Sequence, residues 1–429
     1  MKIKIINSTM IRAAQETPIR SLWLSNLDLL HERNNVPTVY LYNKSTNFDA
    51  KVLKDAMSKV LVQFYPVAGR LGRDENGRLE INCNNEGVMF LEAETNSRID
   101  DLGDLMLNLK IPQLIPTVDY STGISSFPLF VVQVTKFRCG GVSLGIRFHH
   151  VLADGTAALN FINTWCEAAR GLPIGTPPLI DRTVLRSQYQ PNPKFQHSEF
   201  GKPLTLNNSS AENPILQSNS IEILRFTPDQ LSILKSKVNS INGTTTKYSS
   251  YETLTAHVWR CTSKARNLAD DQPTKLYISV DGRSRLDPKL PRNYFGNVSF
   301  PTTAIALCKE LLSESLQDTA ERIRKAVKMM DNEYLRSAID FLGTLEDLTP
   351  VMRGPDACRC PNLHIISWMW LPFYEADFGM GKPIYVRPAN PLEGKGYVMP
   401  TPGDDNNWAL SICLDQDHMH SFKKLFYHF

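Results

Sequence analysis

An apolar run, Gly141-Val142-Ser143-Leu144-Gly145-Ile146-Arg147-Phe148, leads straight into His149-His150-Val151-Leu152-Ala153-Asp154-Gly155. From Thr156 to Gly171 the apolar residues recur at helical spacing. The pattern predicts a buried strand, a tight turn and a helix, with Asp154 or Thr156 placed to cap the helix and Gly171 to end it. This pattern constrains the fold: two histidines sit where a strand stops and a helix starts, and such ends are where layered α/β proteins let polar side chains project into clefts.

A neutral imidazole near pH 7 can take a proton from a hydroxyl or an amine, and help of that kind contributes roughly 10²–10⁴ in rate. His150 is the candidate base. The competing reading leaves His149 and His150 as strand-end residues satisfied by backbone. Asp154 is read as a helix cap or the partner of an arginine rather than a catalytic acid, because its turn points it away from His150.

The rest of the chain fits a layered α/β architecture. Met1 to Ile5 alternates like an edge strand, and Thr38 to Tyr42 is strand-like. Asp49 to Leu61 reads as an amphipathic helix with Val52, Leu53, Ala56, Val60 and Leu61 on one side. Gly69 to Asn82 is a hairpin about Glu75-Asn76-Gly77, and Phe127 to Phe137 is a strand that pairs with the one entering His149. Prolines 173, 177, 178, 191, 193, 203 and 214, set among Asn, Ser and Gln, mark an ordered crossover or an exposed linker. Beyond it come a strand at Ile221–Phe226, helices at Thr227–Val238 and Ser250–Ala265, a strand at Leu276–Val280 and one long helix at Ser313–Met330.

Forty-seven basic residues against 44 acidic, scattered without runs, argue against nucleic acid and membrane surfaces as partners. The eight cysteines mostly lie in apolar contexts, as reduced buried thiols do. The Cys358-Arg359-Cys360 pair lacks a second pair or a histidine at ligand spacing, so no metal is expected there. No apolar leader or spanning segment is evident, and a cytoplasmic enzyme, complete as a monomer, is the expectation.

His150-Val151-Leu152-Ala153-Asp154-Gly155 resembles the HxxxDG motif of the BAHD acyl-CoA-dependent acyltransferases of plants, and Asp377-Phe378-Gly379-Met380-Gly381 resembles their DFGWG signature. Ser8-Thr9-Met10, Phe64 to Leu71, Ile180-Asp181-Arg182-Thr183, Asp281 to Leu286 and Tyr294-Phe295-Gly296-Asn297 look like the branch that transfers hydroxycinnamoyl groups to shikimate or quinate. The resemblance runs over essentially the whole sequence. It implies two similar chloramphenicol-acetyltransferase-like domains, each a mixed β-sheet with helices, with an active-site tunnel between them. Residues 1–185 would form the first, extended by a crossover at about 365–385; 186–219 would be a linker and 220–429 the second domain.

The same resemblance implies direct transfer from a CoA thioester, with acyl-CoA a co-substrate and no cofactor held permanently. No cysteine stands in a nucleophile motif and no G-x-S-x-G elbow occurs, which agrees. The resemblance places CoA near Asp281, Arg283, Ser284 and Arg285. Lys247, Tyr248, Ser249 and Ser250 are weaker candidates, and Arg283 is expected to pair with Asp154 across the domain seam. For Arg285 a solvated loop is the competing reading. Asp377, beside Gly379 and Gly381, is read as a turn former with a possible catalytic role.

The acceptor is expected near Asn35, Val36, Thr38, Tyr40, Ile366, Trp370 and Met380, and several of these depart from the branch. Its usual His and Thr are Asn35 and Val36 here, a Thr is Ile366, the acceptor-gripping Arg is Trp370, and a Trp is Met380. An indole cannot imitate a bidentate guanidinium. The expectation is an apolar, aromatic-lined pocket for a less polar alcohol or an amine. The alternatives are a shikimate/quinate enzyme in which Arg353 or Arg359 takes over the carboxylate, an N-acyltransferase, and a catalytically silent acyl-CoA-binding paralogue. Outside the family, a metal hydrolase built on His149, His150 and Asp154 is the competing class. With Trp and Thr replaced, a backbone N–H or Tyr40 would have to serve the oxyanion.

Overall fold

The computed structural model describes all of the chain except residues 32–34, 44–47, 104–110, 208–218, 240–246, 353, 390–391, 404–405 and 429. It divides into two compact units. The first comprises Met1–Ser187, Lys289–Val298 and Leu371–Asn390; the second comprises Gln188–Pro288, Ser299–Trp370 and Pro391–Phe429.

In the first unit the strands are β1 (Ile3–Ile11), β2 (Arg20–Trp23), β3 (Asn35–Tyr42), β4 (Arg70–Arg73), β5 (Leu79–Cys83), β6 (Val88–Thr95), β7 (Phe130–Phe137) and β8 (Val142–His149). Its helices are α1 (Asn26–Leu29), α2 (Ala50–Gln63) and α3 (Gly155–Ala169). The main sheet runs β1-β6-β7-β8-β3 and is closed by the returning strand Tyr385–Pro388. It is mixed, since β6 and β7 are parallel while its other pairs are antiparallel. β2, β5 and β4 form a small separate sheet, whose β4–β5 hairpin turns at Gly77 with φ 78°, a conformation in which a Cβ is penalised.

One face of the main sheet is covered by α2 and α3. Phe161 of α3 meets Phe130 and Phe148 edge-on or tilted, and the Trp165 indole donates to the Leu53 carbonyl at 2.8 Å. On the other face, Gln133 donates to the Gln113 carbonyl and Arg147 to that of Pro116, so the Ile111–Leu114 turn and the residues after it lie against the sheet. Backbone approaches closely there: a Cβ at Gly145 would collide with the Leu114 carbonyl. Within α2, Leu53, Ala56, Val60 and Leu61 are buried as the periodicity predicts, but Val52 is 42% exposed and Met57 takes the inner place.

The second unit begins with β9 (Asn219–Phe226), α4 (Pro228–Asn239), α5 (Ser250–Ala265), β10 (Pro273–Asp281) and β11 (Ser299–Leu307). Next come α6 (Cys308–Ser313), α7 (Leu316–Lys328), α8 (Asn332–Gly343) and β12 (Leu363–Ser367). The strand Tyr385–Pro388 is β13 and belongs to the first unit; β14 (Lys395–Pro400), β15 (Trp408–Asp415) and α9 (Gln416–Phe426) complete the second. Its sheet, β11-β10-β12-β14-β15-β9, is again six-stranded and mixed.

Three expectations change. The long helix predicted over Ser313–Met330 is two helices: α6 stops at Ser313, and Ser315 opens α7 with a capping box to Asp318. The 186–219 stretch is no free linker where it is described. Backbone N–H groups of Gln188 and Asn192 donate to Asp340, and those of Lys194 and Phe195 to Ser337, which straps it to α8. The crossover is Leu371–Asn390, later than the expected 365–385, and Ile365 lies instead in β12 of the second unit; Lys289–Val298 is a further excursion that periodicity did not reveal.

Gly145→Ala is expected to cost about 1–3 kcal/mol through overpacking against backbone that cannot yield. A lower thermal unfolding midpoint with an unchanged circular-dichroism spectrum checks this.

Candidate active site

Successive side chains on a strand point to opposite faces, so the two histidines ending β8 separate. His149 turns inward, is nearly fully buried and stacks on Phe127 with ring centroids 5.8 Å apart. Burial, and secondarily the charge of His150, holds its imidazole far below the usual value, at about 3. It remains neutral across the physiological range and is sealed from solvent.

His150 enters the turn half-buried, and its Nδ1 lies 3.0 Å from the Asn297 side-chain oxygen. The chemistry of that amide fixes the proton. Asn297 Nδ2 donates to an Asp28 oxygen at 2.8 Å and to the His150 carbonyl at 2.8 Å, and both can only accept. The Asn297 oxygen therefore faces His150, Nδ1 must carry the hydrogen, and in the neutral ring the basic lone pair is on Nε2. His31, just beyond α1, lies flat on the His150 ring, with centroids 3.9 Å apart and an interplanar angle of 10°.

Asp28 is the anchor. Wholly buried in α1, it also accepts from the Ser25 amide and hydroxyl and from the Asn297 amide, and it pairs with Arg182 at 3.1 Å. Arg182 in turn donates to the Val151 and Leu152 carbonyls at 2.8 and 2.6 Å, gripping the turn that follows His150. Breaking a buried pair of this kind costs about 3–5 kcal/mol.

Asp154 caps α3: one oxygen accepts from the Ala157 amide at 3.1 Å and the other from the Val298 amide at 2.9 Å. Its carboxylate is thus directed at backbone, as the sequence argument expects. Asp377 accepts from the Gly379 and Gly381 amides at 2.8 and 2.9 Å, in a turn where both glycines have positive φ. Its geometry is that of a turn former.

The other predicted positions scatter. Asn35 opposes His149 and Val36 opposes Phe148 across the β3–β8 ladder, which puts them on opposite faces. Thr38 is buried; Tyr40 is fully enclosed, its ring 6.5 Å from Phe373, and enclosure keeps its hydroxyl protonated. That hydroxyl has no solvent-facing surface from which to serve an oxyanion. Met380 is half-buried in the Asp377 turn, and Ile366 is half-buried in β12. Trp370 is 92% exposed, so its ring faces solvent instead of forming a packed wall. Arg359 pairs with Asp356 at the surface, and Arg353 lies outside the described residues.

In the second unit, Ser249 caps α5 in a box with Glu252, and Ser250 begins the helix half-buried. Lys247 is exposed and its carbonyl accepts from Arg324, whose guanidinium stacks 3.9 Å from the Tyr248 ring. Asp281 and Ser284 are exposed. Arg283 is buried and pairs with Asp281 at 3.2 Å; the partner expected for it, Asp154, belongs to the first unit. Arg285 donates to the Val327 and Met330 carbonyls, closing the end of α7 where a cation is favoured.

Sequence reasoning missed Asn297, Asp28 and His31 as parts of the site. Asn297 and Arg182 stood inside segments noticed only for their resemblance, and Ser25 with Asp28 carried a readable capping-box signal. No thiol competes as nucleophile: burial pushes Cys261 and Cys413 up to about 12 and Cys166 well above its usual value. Among the described residues no group of three or more His, Cys, Asp or Glu could hold a metal ion, and no helix is long and apolar enough to cross a membrane.

Two mixed six-stranded sheets and an imidazole held in one tautomer, with no activated nucleophile beside it, have the makings of a direct-transfer acyltransferase. Residues 1–429 match the model of the Transferase family, and the chain belongs to it: it is a BAHD-type, acyl-CoA-dependent acyltransferase. It is 48% identical to the shikimate O-hydroxycinnamoyltransferase of Nicotiana tabacum and 47% identical to the rosmarinate synthase of Plectranthus scutellarioides, covering 100% of both chains in each comparison. Its fold is similar to that of F. sporotrichioides TRI101 complexed with coenzyme A and T-2, with a TM-score of 0.77 at 21% identity over 94% of this chain and 97% of that one.

His149 gives a prediction with a definite sign. Its folded-state value lies below that of an unfolded histidine, so the unfolded chain binds the extra proton and stability falls as pH drops from about 6.5 toward 3. His149→Phe, able to keep the stack on Phe127, is expected to flatten that fall by about 1.4 kcal/mol per pH unit. Denaturant midpoints of both proteins between pH 7 and pH 4 check it.

Proposed function

We propose that the protein transfers a hydroxycinnamoyl group, p-coumaroyl or caffeoyl, from CoA to a hydroxyl or amine of a small acceptor, with His150 as the general base. The observation that carries this reading is the Asn297 amide, whose orientation leaves His150 Nε2 as the basic nitrogen. The acceptor's O–H or N–H bond breaks as its proton moves to Nε2 and its heteroatom attacks the thioester carbon. The tetrahedral oxyanion then collapses, the C–S bond breaks, and the proton passes from the imidazolium to the CoA thiolate. A thioester is already activated, so no acyl-enzyme is required. The relatives named for shikimate O-hydroxycinnamoyl transfer and for rosmarinate support a hydroxycinnamoyl donor and an acceptor that varies within the family.

CoA is assigned to the second unit, at Ser249 and Ser250 and at Asp281, Arg283 and Ser284. Arg285 is withdrawn from that set because the helix end occupies it. The acceptor is assigned to residues that offer no guanidinium: Trp370 stands where the branch has arginine, and Arg359 is already paired. A charge-assisted pair of that kind contributes about 1.5–3 kcal/mol, enough to change the acceptor class. The reading is therefore a less polar alcohol or an amine.

Incubating the protein with p-coumaroyl-CoA or caffeoyl-CoA and shikimate, quinate, aromatic alcohols or amines, with products read by mass spectrometry, tests the acceptor. The expected products are esters or amides of the less polar acceptors; fast turnover confined to shikimate and quinate refutes the altered pocket. His150→Ala is expected to lower turnover by about 10²–10⁴-fold, and undiminished thiol release by that variant refutes the base.

A further inference from the structure

We propose that His31 is a positioning residue for the transfer: its neutral imidazole, lying on the face of His150, stabilises the imidazolium that forms when the base takes the acceptor's proton. The inference rests on the reading of His150 as base and names a second residue that serves it. The two rings are 3.9 Å apart and within 10° of parallel, so the π-face of one covers the other. A cation over an aromatic face at this separation is attracted to it, and the attraction exists only once His150 is charged. Such an interaction favours the transition state over the resting enzyme.

The placement of His31 is built in. Its amide donates to the Asp28 carbonyl at 3.1 Å, and the Asp28 carboxylate holds Asn297. One residue of α1 thus sets both the group at the edge of the His150 ring and the group on its face. The charged and titratable neighbours within this unit leave that role to His31. His149 stays neutral in the sheet, Asp28 is paired with Arg182, and Asp154 is turned to the Ala157 and Val298 amides. At this distance two imidazolium ions repel strongly, so the stacked pair holds a single proton near neutral pH.

Three variants test it, with kcat, KM for acyl-CoA and the acid limb of kcat against pH as readouts. His31→Ala is expected to lower kcat about three- to tenfold at unchanged KM, and to move the acid limb down by about half a pH unit because His150 loses the stacked face. His31→Phe keeps a π-face without a titrating group and is expected to restore both values. His31→Lys places a fixed cation there and is expected to lower kcat further. A His31→Ala enzyme with kcat within about twofold of the parent and an unmoved limb, or a His31→Phe enzyme no better than His31→Ala, overturns the proposal. His150→Ala assayed alongside separates the two ideas: its inactivity beside unaffected His31 variants removes only the role of His31, whereas its activity removes the base itself.

Discussion

The site depends on one buried carboxylate. Asp28 has no exposed surface, and a charge placed there is tolerable only if every lone pair finds a donor. It finds the Ser25 amide and hydroxyl, the Asn297 amide and side chain, and the Arg182 guanidinium. These donors come from three stretches far apart in sequence, so satisfying one anion brings together α1, the Arg182 segment and the Lys289–Val298 excursion. Arg182 passes the constraint on by gripping the Val151 and Leu152 carbonyls, and Asn297 passes it on by choosing the proton position of His150. The order of His150 is thus a consequence of desolvating an aspartate one ring away.

The sheet supplies the other half of the geometry. β8 must end at His149 because the backbone turns at His150, and pleat alternation then sends one ring under the sheet and the other out of it. The buried ring cannot act as a base, since it cannot take a proton without solvent. The exposed one can, and the capping of α3 by Asp154 fixes where the turn between them ends. The invariance usually attached to an aspartate four residues after a histidine needs no catalytic role here: its two oxygens are taken by the Ala157 and Val298 amides.

Much of this was legible beforehand where the cause is local. The strand into His149, the cap at Asp154, the hairpin at Gly77, the start of α5 at Ser250 and the choice of His150 over His149 all follow from residues adjacent in the chain. The failures also have causes. Val52 was assigned to the buried stripe of α2, yet Met57 fills the core there, because a moment computed on one helix does not know the curvature of its neighbour. The Ser313–Met330 segment was read as continuous because capping chemistry at Ser315 was overlooked in an otherwise helical run. The proline-rich stretch looked like a linker, but Ser337 and Asp340 on α8 accept its backbone hydrogens.

What the sequence by itself determined is the periodic and the punctuated: the α/β alternation, the helix caps, the histidine at a strand end and the motifs by which the family is recognised. What only the tertiary structure decided is the partnership of groups 120 to 270 residues apart, such as Asn297 with Asp28 and His150, at separations of 269 and 147 positions. It also decided which candidates lie outside a packed wall, as with Trp370, and which are sealed, as with Tyr40. The physical reason is that periodicity records the one-dimensional cost of burying a face. The tautomer of a base and the exposure of an indole depend on which distant donor and which distant surface arrive beside it when the chain closes.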